Sequence, residues 1–397
     1  MSRGESKKNK LSIVLTLCML AYMTAYMSRK PISVLATALR DHGILTTAEY
    51  GFVGSVFFFT YAICKLFVGI ANDRLKPEYM ISLGIIVAGF SNLMIGLFPT
   101  KPMIFFFWFL NAVGQSLPWG AMLIAVVGAD GRMRKEIRMS LLGIACSLGD
   151  IAGIVVVSRA YTSGGLKLGF ALPGILTFIT GFVVIFFLRT DVVQPKVERS
   201  KSATSILKDR TIKHLFVPIF IHGMIKTSVG YWLVAYVISC FGIDISKISL
   251  YVFFVPLVSI LSRTLFPFLF RLFGNNEIKV AYFSYLMVLI VAIPLCFNVG
   301  SIVIAIACFC LITIFEGFSG TSFIAMLPAR YAGRNQTGRV AGVLDFIIYM
   351  GSALSSFCFG IVVERWGYAA MFSSWEALIV VSLTIMTIFF RKKIMDD

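Results

Sequence analysis

Charged side chains are scarce in this sequence. Asp, Glu, Lys and Arg make up 14% of its 397 residues, whereas 58% are hydrophobic, and the mean hydropathy is +0.88. A water-soluble domain of this size cannot bury so much apolar surface. The composition therefore excludes a soluble globular protein and favours one that lies in a lipid bilayer.

Residues and motifs typical of metal-binding, nucleotide-binding or catalytic sites are also few. The three histidines are scattered, and the eight cysteines lie almost wholly in apolar stretches, where we interpret them as packing residues. There is no glycine-rich phosphate loop followed by Lys-Ser or Lys-Thr, and no nucleophile–base pair or cofactor motif emerges. These absences argue against an ATPase, a metal site and any other enzyme, and we expect no cofactor.

Long apolar runs make up most of the chain. A membrane-spanning helix needs about 20 apolar residues in a row, and the first run is too long for the apolar region of a cleavable signal peptide. We count twelve such runs and predict an all-helical membrane protein with these spans: 11–39, 47–72, 78–98, 103–127, 137–158, 168–188, 215–240, 248–270, 280–297, 302–326, 340–363 and 369–390.

A polar stretch divides the spans into six and six. We therefore predict a helical half at 1–189, a cytoplasmic linker at 190–213 and a second helical half at 214–397. The halves show weak internal similarity, because Gly149 and Gly351 fall at matching depths and Arg29 and Lys226 are similarly offset. Two parallel repeats with a site between them at mid-membrane are a common plan of secondary transporters.

The formal charge of +17 invites a nucleic-acid interpretation, but the distribution of the charge argues against one. With the N-terminus inside, the cytoplasmic segments hold most of the Lys and Arg residues, as at 3–10, 132–138, 189–213 and 391–393. This bias is typical of membrane proteins and places both termini in the cytoplasm. We interpret these charges as topology signals that contact the lipid bilayer.

Some charges nevertheless fall inside the predicted spans, where each costs roughly 2.5–3.5 kcal/mol to insert. The cations are Arg29, Lys30, Lys65, Lys226 and Arg263, and the anions are Asp150, Glu316 and Asp345. Two central cations on corresponding spans, Arg29 and Lys226, suggest a pocket for an anion, with Lys65 as a further candidate. The alternative is that the cations pair internally with the carboxylates.

The three carboxylates are candidates for ion pairing or for coupling transport to protons, since an isolated carboxylate is tolerated at mid-membrane only when paired or protonated. We predict that at least one of them pairs with Lys226 or Arg263. Tyrosines flank the cations: Tyr22 and Tyr26 share a helix face with Arg29, and Tyr61 precedes Lys65 by one turn. Their hydroxyls either donate to substrate oxygens or pack against backbone carbonyls.

Three motifs resemble one transporter family. They are Tyr22-x-x-x-Tyr26-x-x-Arg29-Lys30, Tyr61-x-x-x-Lys65-x-x-x-Gly69-x-x-x-Asp73-Arg74 and Asn111-x-x-x-Gln115-x-x-x-Trp119. Together they resemble the organophosphate:phosphate antiporters of the major facilitator superfamily, which include glycerol-3-phosphate and hexose-6-phosphate exchangers. The resemblance runs over most of the chain and implies a major facilitator fold of twelve helices in two pseudo-symmetric halves.

The resemblance also implies roles for residues. Arg29 matches one of the two cations that hold the substrate phosphate, and Gln115 and Trp119 belong to the substrate site. Lys226 stands where the family has a second arginine, so the charge is kept but the bidentate fork is lost. Gly69, Asp73 and Arg74 form the loop signature of the superfamily, which stabilises one alternating-access state.

The sequence therefore predicts a secondary transporter of a small organic anion, a phosphorylated metabolite exchanged for inorganic phosphate. It is expected to be a monomer in a bacterial inner or plasma membrane, with an anionic substrate and phosphate or a proton as its small-molecule partners. Two alternatives stay open. One is a proton-coupled symporter of carboxylates or sugar acids, and the other is a membrane sensor of hexose phosphate, which the same family includes.

Overall fold

The computed structural model describes residues 3–72, 75–128, 133, 135–190, 206, 209–331 and 337–395. Every regular element in these ranges is helical and none is a β-strand, which confirms the all-helical prediction. The α-helices are α1 (Arg3–Met27), α2 (Lys30–Val34), α3 (Ala36–Asp41), α4 (Thr47–Asn72), α5 (Pro77–Leu97), α6 (Lys101–Ser116), α7 (Pro118–Gly128), α8 (Lys135–Phe187), α9 (Arg210–Phe241), α10 (Ile248–Val252), α11 (Phe254–Leu272), α12 (Glu277–Cys296), α13 (Ile302–Thr321), α14 (Leu327–Ala329) and α15 (Thr337–Met395).

Ten helical segments of the described chain are long and apolar enough to cross a membrane. Two of them, Leu141–Phe187 with 47 residues and Val340–Arg391 with 52, are far longer than one crossing requires. At 1.5 Å per residue each would extend about 70 Å or more, against a hydrocarbon thickness of about 30 Å. Both bend at glycine: Gly165 has φ 62° in α8, and Gly367 has φ 80° in α15. Only glycine adopts such backbone angles readily.

Three predicted spans are interrupted where the sequence predicted continuous helices. The span 11–39 breaks between α1 and α2, 103–127 between α6 and α7, and 248–270 between α10 and α11. A proline follows each break: Pro31, Pro118 and Pro256. Proline lacks an N–H and its ring collides with the carbonyl four residues earlier, so the preceding helix ends there.

The chain forms two compact units. The first is built from Met1–Ile44, Ile63–Arg199 and Ile243–Phe253, and the second from Leu45–Ala62, Ser200–Gly242 and Phe254–Asp397. Apolar side chains fill the interior of each, as with Cys18, Ile81 and Leu142 in the first and Tyr285, Phe309 and Trp375 in the second.

The same glycine contact occurs in each unit. In the first, Gly149 of α8 lies directly against the backbone carbonyl of Met23 in α1. In the second, Gly351 of α15 lies directly against the carbonyl of Phe220 in α9. A Cβ atom at either glycine would overlap that carbonyl, so the two helices meet backbone to backbone. Gly149 and Gly351, which the sequence analysis compared, therefore have the same packing role in their units.

Candidate anion-binding site

Arg29 lies in the interruption between α1 and α2. Its backbone angles are still helical, at φ −84° and ψ −17°, but Pro31 prevents α1 from continuing. Other residues of the candidate site come from a second interrupted helix pair: Gln115 lies in the last turn of α6, and Trp119 lies in the first turn of α7, after Pro118. Both interruptions thus contribute side chains to the same cluster of the first unit.

Hydrogen bonds fix the Arg29 guanidinium. Its Nε donates to Oε1 of the buried Gln115. The amide nitrogen of Gln115 in turn donates to Ser28 Oγ at 3.0 Å and to Asn111 Oδ1 at 2.6 Å. Because its nitrogen is used as a donor, the Gln115 oxygen is directed at the arginine. A hydrogen bond to a charged group contributes about 1.5–3 kcal/mol, and this one uses only one of the five donor hydrogens of arginine.

Aromatic rings line the same cluster. The Arg29 guanidinium carbon lies 4.5 Å from the ring centroid of Tyr26, in cation–π geometry. The Tyr22 hydroxyl donates to the Tyr26 hydroxyl at 3.4 Å, and the Tyr22 ring stacks on Trp119 with centroids 5.2 Å apart. The predicted site residues Tyr22, Tyr26, Arg29, Gln115 and Trp119 therefore lie together. Gln115 and Tyr26 orient the arginine without cancelling its positive charge.

Asp150 pairs with a lysine that the sequence analysis did not match with it. Its carboxylate pairs with Lys30 Nζ at 2.7 Å, and both side chains are largely buried. The lysine stem lies against α8 at Gly153, where a Cβ atom would come within 2.5 Å of Lys30 Cγ. Asp150 therefore neutralises the cation next to Arg29 in the chain.

In the second unit, Lys226 lies on α9 at the position that the repeat predicts. It follows Phe220 by six residues, just as Arg29 follows Met23 by six, and Phe220 and Met23 are the residues in contact with Gly351 and Gly149. The Lys226 side chain is exposed, whereas Thr227 next to it shares a hydrogen bond of 2.6 Å with Ser352 of α15. The packing within each unit thus supports the proposed correspondence of the two cations.

Glu316 also has an unforeseen partner. Its Oε2 lies 2.7 Å from Nδ1 of His222, and both side chains are buried. His222 lies one helical turn before Lys226 on α9. Sequence reasoning missed both this pair and the Lys30–Asp150 pair because their members are far apart in the chain. The sequence did offer one indication of these pairs: Lys30 directly follows Arg29, and His222 lies one helical turn before Lys226.

The remaining predicted residues are distributed over both units. Tyr61 is buried in the second unit, with its ring centroid 4.5 Å from that of Tyr349. Lys65 lies half-exposed one turn further along α4, Arg263 is exposed on α11, and Asp345 is half-buried on α15. A pairing of a carboxylate with Lys226 or Arg263 stays a prediction. Gly69 lies in α4, and its companions in the loop signature, Asp73 and Arg74, lie outside the described residues.

Known proteins share both the sequence and the fold. A probable hexose phosphate transport protein of Chlamydia trachomatis is 21% identical over 401 residues, which cover 92% of this chain and 88% of the relative. The membrane sensor protein UhpC of Salmonella typhimurium is 22% identical, covering 89% of this chain and 86% of the relative. The crystal structure of a bacterial homologue of the human lysosomal transporter Spinster matches with a TM-score of 0.75 at 15% identity, covering 99% of this chain and 96% of that one.

These relatives confirm the resemblance on which the sequence analysis relied. A family model described as Major Facilitator Superfamily matches residues 18–356, most of the chain. The ten apolar helices and the shared fold make the protein a multi-pass integral membrane protein, and its relatives are transport and sensor proteins rather than enzymes. The chain therefore belongs to the Major Facilitator Superfamily.

Proposed function

We propose that this protein exchanges a small phosphorylated metabolite for inorganic phosphate by alternating access. One observation supports this above all: Arg29 is held by Gln115 and Tyr26 within an aromatic and polar cluster of the first unit. An arginine fixed in this way suits a phosphate group, which it binds through two parallel hydrogen bonds. The named function of the chlamydial relative, hexose phosphate transport, indicates the same class of substrate.

We further propose twelve crossings in two halves, 1–189 and 214–397, joined by the linker 190–213. The bends at Gly165 and Gly367 support this count, because dividing the two overlong segments turns ten apolar segments into twelve. The even number places both termini on one side, which the distribution of Lys and Arg assigns to the cytoplasm. A bacterial inner or plasma membrane is the expected location, with the protein acting as a monomer.

Counterflow in proteoliposomes tests the function. Vesicles containing the purified protein are loaded with phosphate and supplied with labelled hexose phosphates, glycerol phosphate, carboxylates and sugar acids in turn. We expect uptake of an organophosphate only when phosphate is inside. Vesicles without protein and vesicles without internal phosphate are the controls. Uptake of a carboxylate that follows a proton gradient without internal phosphate would contradict the proposal and favour a proton-coupled symporter.

The likeness to UhpC favours a second candidate, a membrane sensor of hexose phosphate. A sensor must bind its ligand but has no need to move it. Binding of a hexose phosphate to the purified protein, measured by calorimetry, combined with no counterflow of the same compound would support sensing over transport.

A further inference from the structure

The side-chain amide of Gln115 is the centre of a hydrogen-bond network in the first unit. Its oxygen accepts from Arg29 Nε, and its nitrogen donates to Ser28 Oγ at 3.0 Å and to Asn111 Oδ1 at 2.6 Å. Ser28, Asn111 and Gln115 are all buried. A primary amide that turns over exchanges its oxygen for its nitrogen. The surroundings of Gln115 must therefore decide which of the two atoms faces the arginine.

Ser28 sets the direction on one side of the network. Its hydroxyl donates to the backbone carbonyl of Ala25 at 2.8 Å, three residues earlier in the chain. A carbonyl only accepts, so the single hydrogen of the serine is used there and the serine oxygen is left to accept. Gln115 must then offer its nitrogen to Ser28, which leaves the amide oxygen for Arg29.

Asn111 gives the same direction on the other side. Its oxygen accepts from Gln115, and its own nitrogen makes a weak hydrogen bond of 3.5 Å to the backbone carbonyl of Ala88 in α5. If Asn111 turned over, its oxygen would face this carbonyl, acceptor against acceptor. Gln115 cannot turn over alone either, because its oxygen would then face the oxygen of Asn111. The two sides of the network thus agree on one orientation of Gln115.

The orientation of Gln115 matters because arginine only donates hydrogen bonds. With the amide turned over, the Gln115 nitrogen would face Arg29 Nε, donor against donor, and the bond between them would be lost. With the oxygen in place, Gln115 occupies the Nε–H. Two parallel bonds to a phosphate then come from the terminal nitrogens of the same planar group. The amide therefore determines which edge of the arginine the anion meets.

We propose that Ser28 and Asn111 are positioning residues for anion binding, which act by fixing the amide of Gln115 and, through it, the guanidinium of Arg29. This inference rests on the proposed function, because it takes Arg29 as the residue that binds the phosphate. Neither Ser28 nor Asn111 has to touch the anion. Removal of either side chain therefore weakens anion binding only while Gln115 is present.

Binding of inorganic phosphate to the full-length protein in detergent, measured by calorimetry, tests this dependence. Ser28→Ala and Asn111→Leu should each weaken binding by roughly threefold to tenfold, the factor that corresponds to about one hydrogen bond. In a Gln115→Leu background neither should weaken it further, since residues that act through a shared partner are not additive. Equal losses with and without Gln115, or parental binding by both single variants, would overturn the inference.

Ser116→Ala is the matched control. Ser116 follows Gln115 on α6, is also buried, and donates to the Val113 carbonyl of its own helix at 2.7 Å. This variant loses one buried hydroxyl outside the network, so its phosphate binding should equal that of the parent. A loss as large as that of Ser28→Ala would contradict the positioning role. Thermal unfolding checks that the variants are folded, and Ser28→Ala alone decides the comparison if Asn111→Leu is not.

The Nε–H of Arg29 offers a second readout, which needs no phosphate. In protein made with isotopically labelled arginine, its NMR signal is identified by its absence in Arg29→Lys, and its hydrogen exchange with water is measured. Exchange should be slow in the parent and in Ser116→Ala, and faster in Ser28→Ala, Asn111→Leu and Gln115→Leu. Equal exchange in all of them overturns the inference. If the parent shows this pattern but binds no phosphate, the proposed function fails and the positioning of Arg29 stands.

Discussion

At the scale of single residues, Arg29 is the side chain whose environment is best defined. Its Nε–H is directed by Gln115, and its charge lies over the Tyr26 ring. Lysine would keep the charge but would offer a single point donor in place of the planar fork. The shape of the group, and not its charge alone, is therefore expected to determine phosphate binding.

Arg29→Lys should lower phosphate exchange by roughly tenfold to a hundredfold, which corresponds to about 1.4–2.8 kcal/mol, while the protein stays folded. The measurement is labelled phosphate exchange in proteoliposomes, with the reconstituted amount and the melting temperature determined for each variant. Arg40→Lys is the control, because Arg40 is exposed on α3 and contacts its neighbour Asp41 at 3.2 Å. Parental exchange by Arg29→Lys would show that Arg29 does not anchor the substrate.

Part of this site was predictable from the sequence for a simple reason. A cation in an apolar run is costly, so Arg29 and Lys226 stood out, and tyrosines at helical spacing followed. The Lys30–Asp150 and His222–Glu316 pairs were not predictable, because each joins residues about a hundred positions apart or more, and no local pattern reports which helix faces meet.

At the scale of helices, the second unit depends on close contact between α9 and α15. Gly223 of α9 lies directly against the carbonyl of Ile348, and Gly351 of α15 lies against that of Phe220, so the contact is reciprocal. The first unit has one contact of the same kind, between Gly149 and the carbonyl of Met23. Small residues permit such an approach, which is a main source of helix association in membranes.

Gly223→Ala should destabilise the protein by about 1–3 kcal/mol, the usual cost of overpacking, because the added methyl group overlaps a backbone carbonyl that cannot move aside alone. The control is Gly230→Ala on the same helix, where a Cβ atom meets nothing within 4 Å. Thermal unfolding followed by a thiol-reactive or intrinsic fluorescence signal compares the two. Equal melting temperatures for the two variants would show that the α9–α15 contact tolerates separation.

The helical nature of the chain could be predicted from apolar runs of about 20 residues, but the breaks could not be placed with the same rules. Proline is common in membrane helices, where it produces anything from a slight kink to a full stop. Pro218, for example, lies within the continuous helix α9, whereas Pro31 and Pro118 begin new helices. The local sequence at these three positions does not separate the outcomes, since tertiary packing decides which freed carbonyls find partners.

At the scale of the whole molecule, exchange follows from charge. In the proposed function, cationic side chains of the substrate site bind the anion, and their attraction to it is weakly screened at low dielectric constant. A ligand shifts a conformational equilibrium only by its differential interaction with the two states, and the anion supplies such an interaction. The loaded carrier is therefore expected to reorient quickly and the empty one slowly.

Efflux measurements test this expectation. Vesicles preloaded with labelled phosphate are diluted into buffer with or without saturating external phosphate, and the initial efflux rates are compared. Efflux should be at least tenfold faster with the external anion, which corresponds to about 1.4 kcal/mol or more of difference in barrier height. Equal rates in the two buffers would indicate that the empty carrier reorients freely, as in a uniporter.

The bends at Gly165 and Gly367 have a practical consequence for mapping the topology of the protein with reagents added in solution. On the proposed topology each bend joins two crossings with almost no intervening chain, because the helical hydrogen bonding resumes immediately on either side. The membrane face at these turns then offers hardly any loop for an antibody, a protease or an inserted epitope to engage. Topology mapping there should succeed with small thiol reagents on single-cysteine variants and fail with macromolecular reagents.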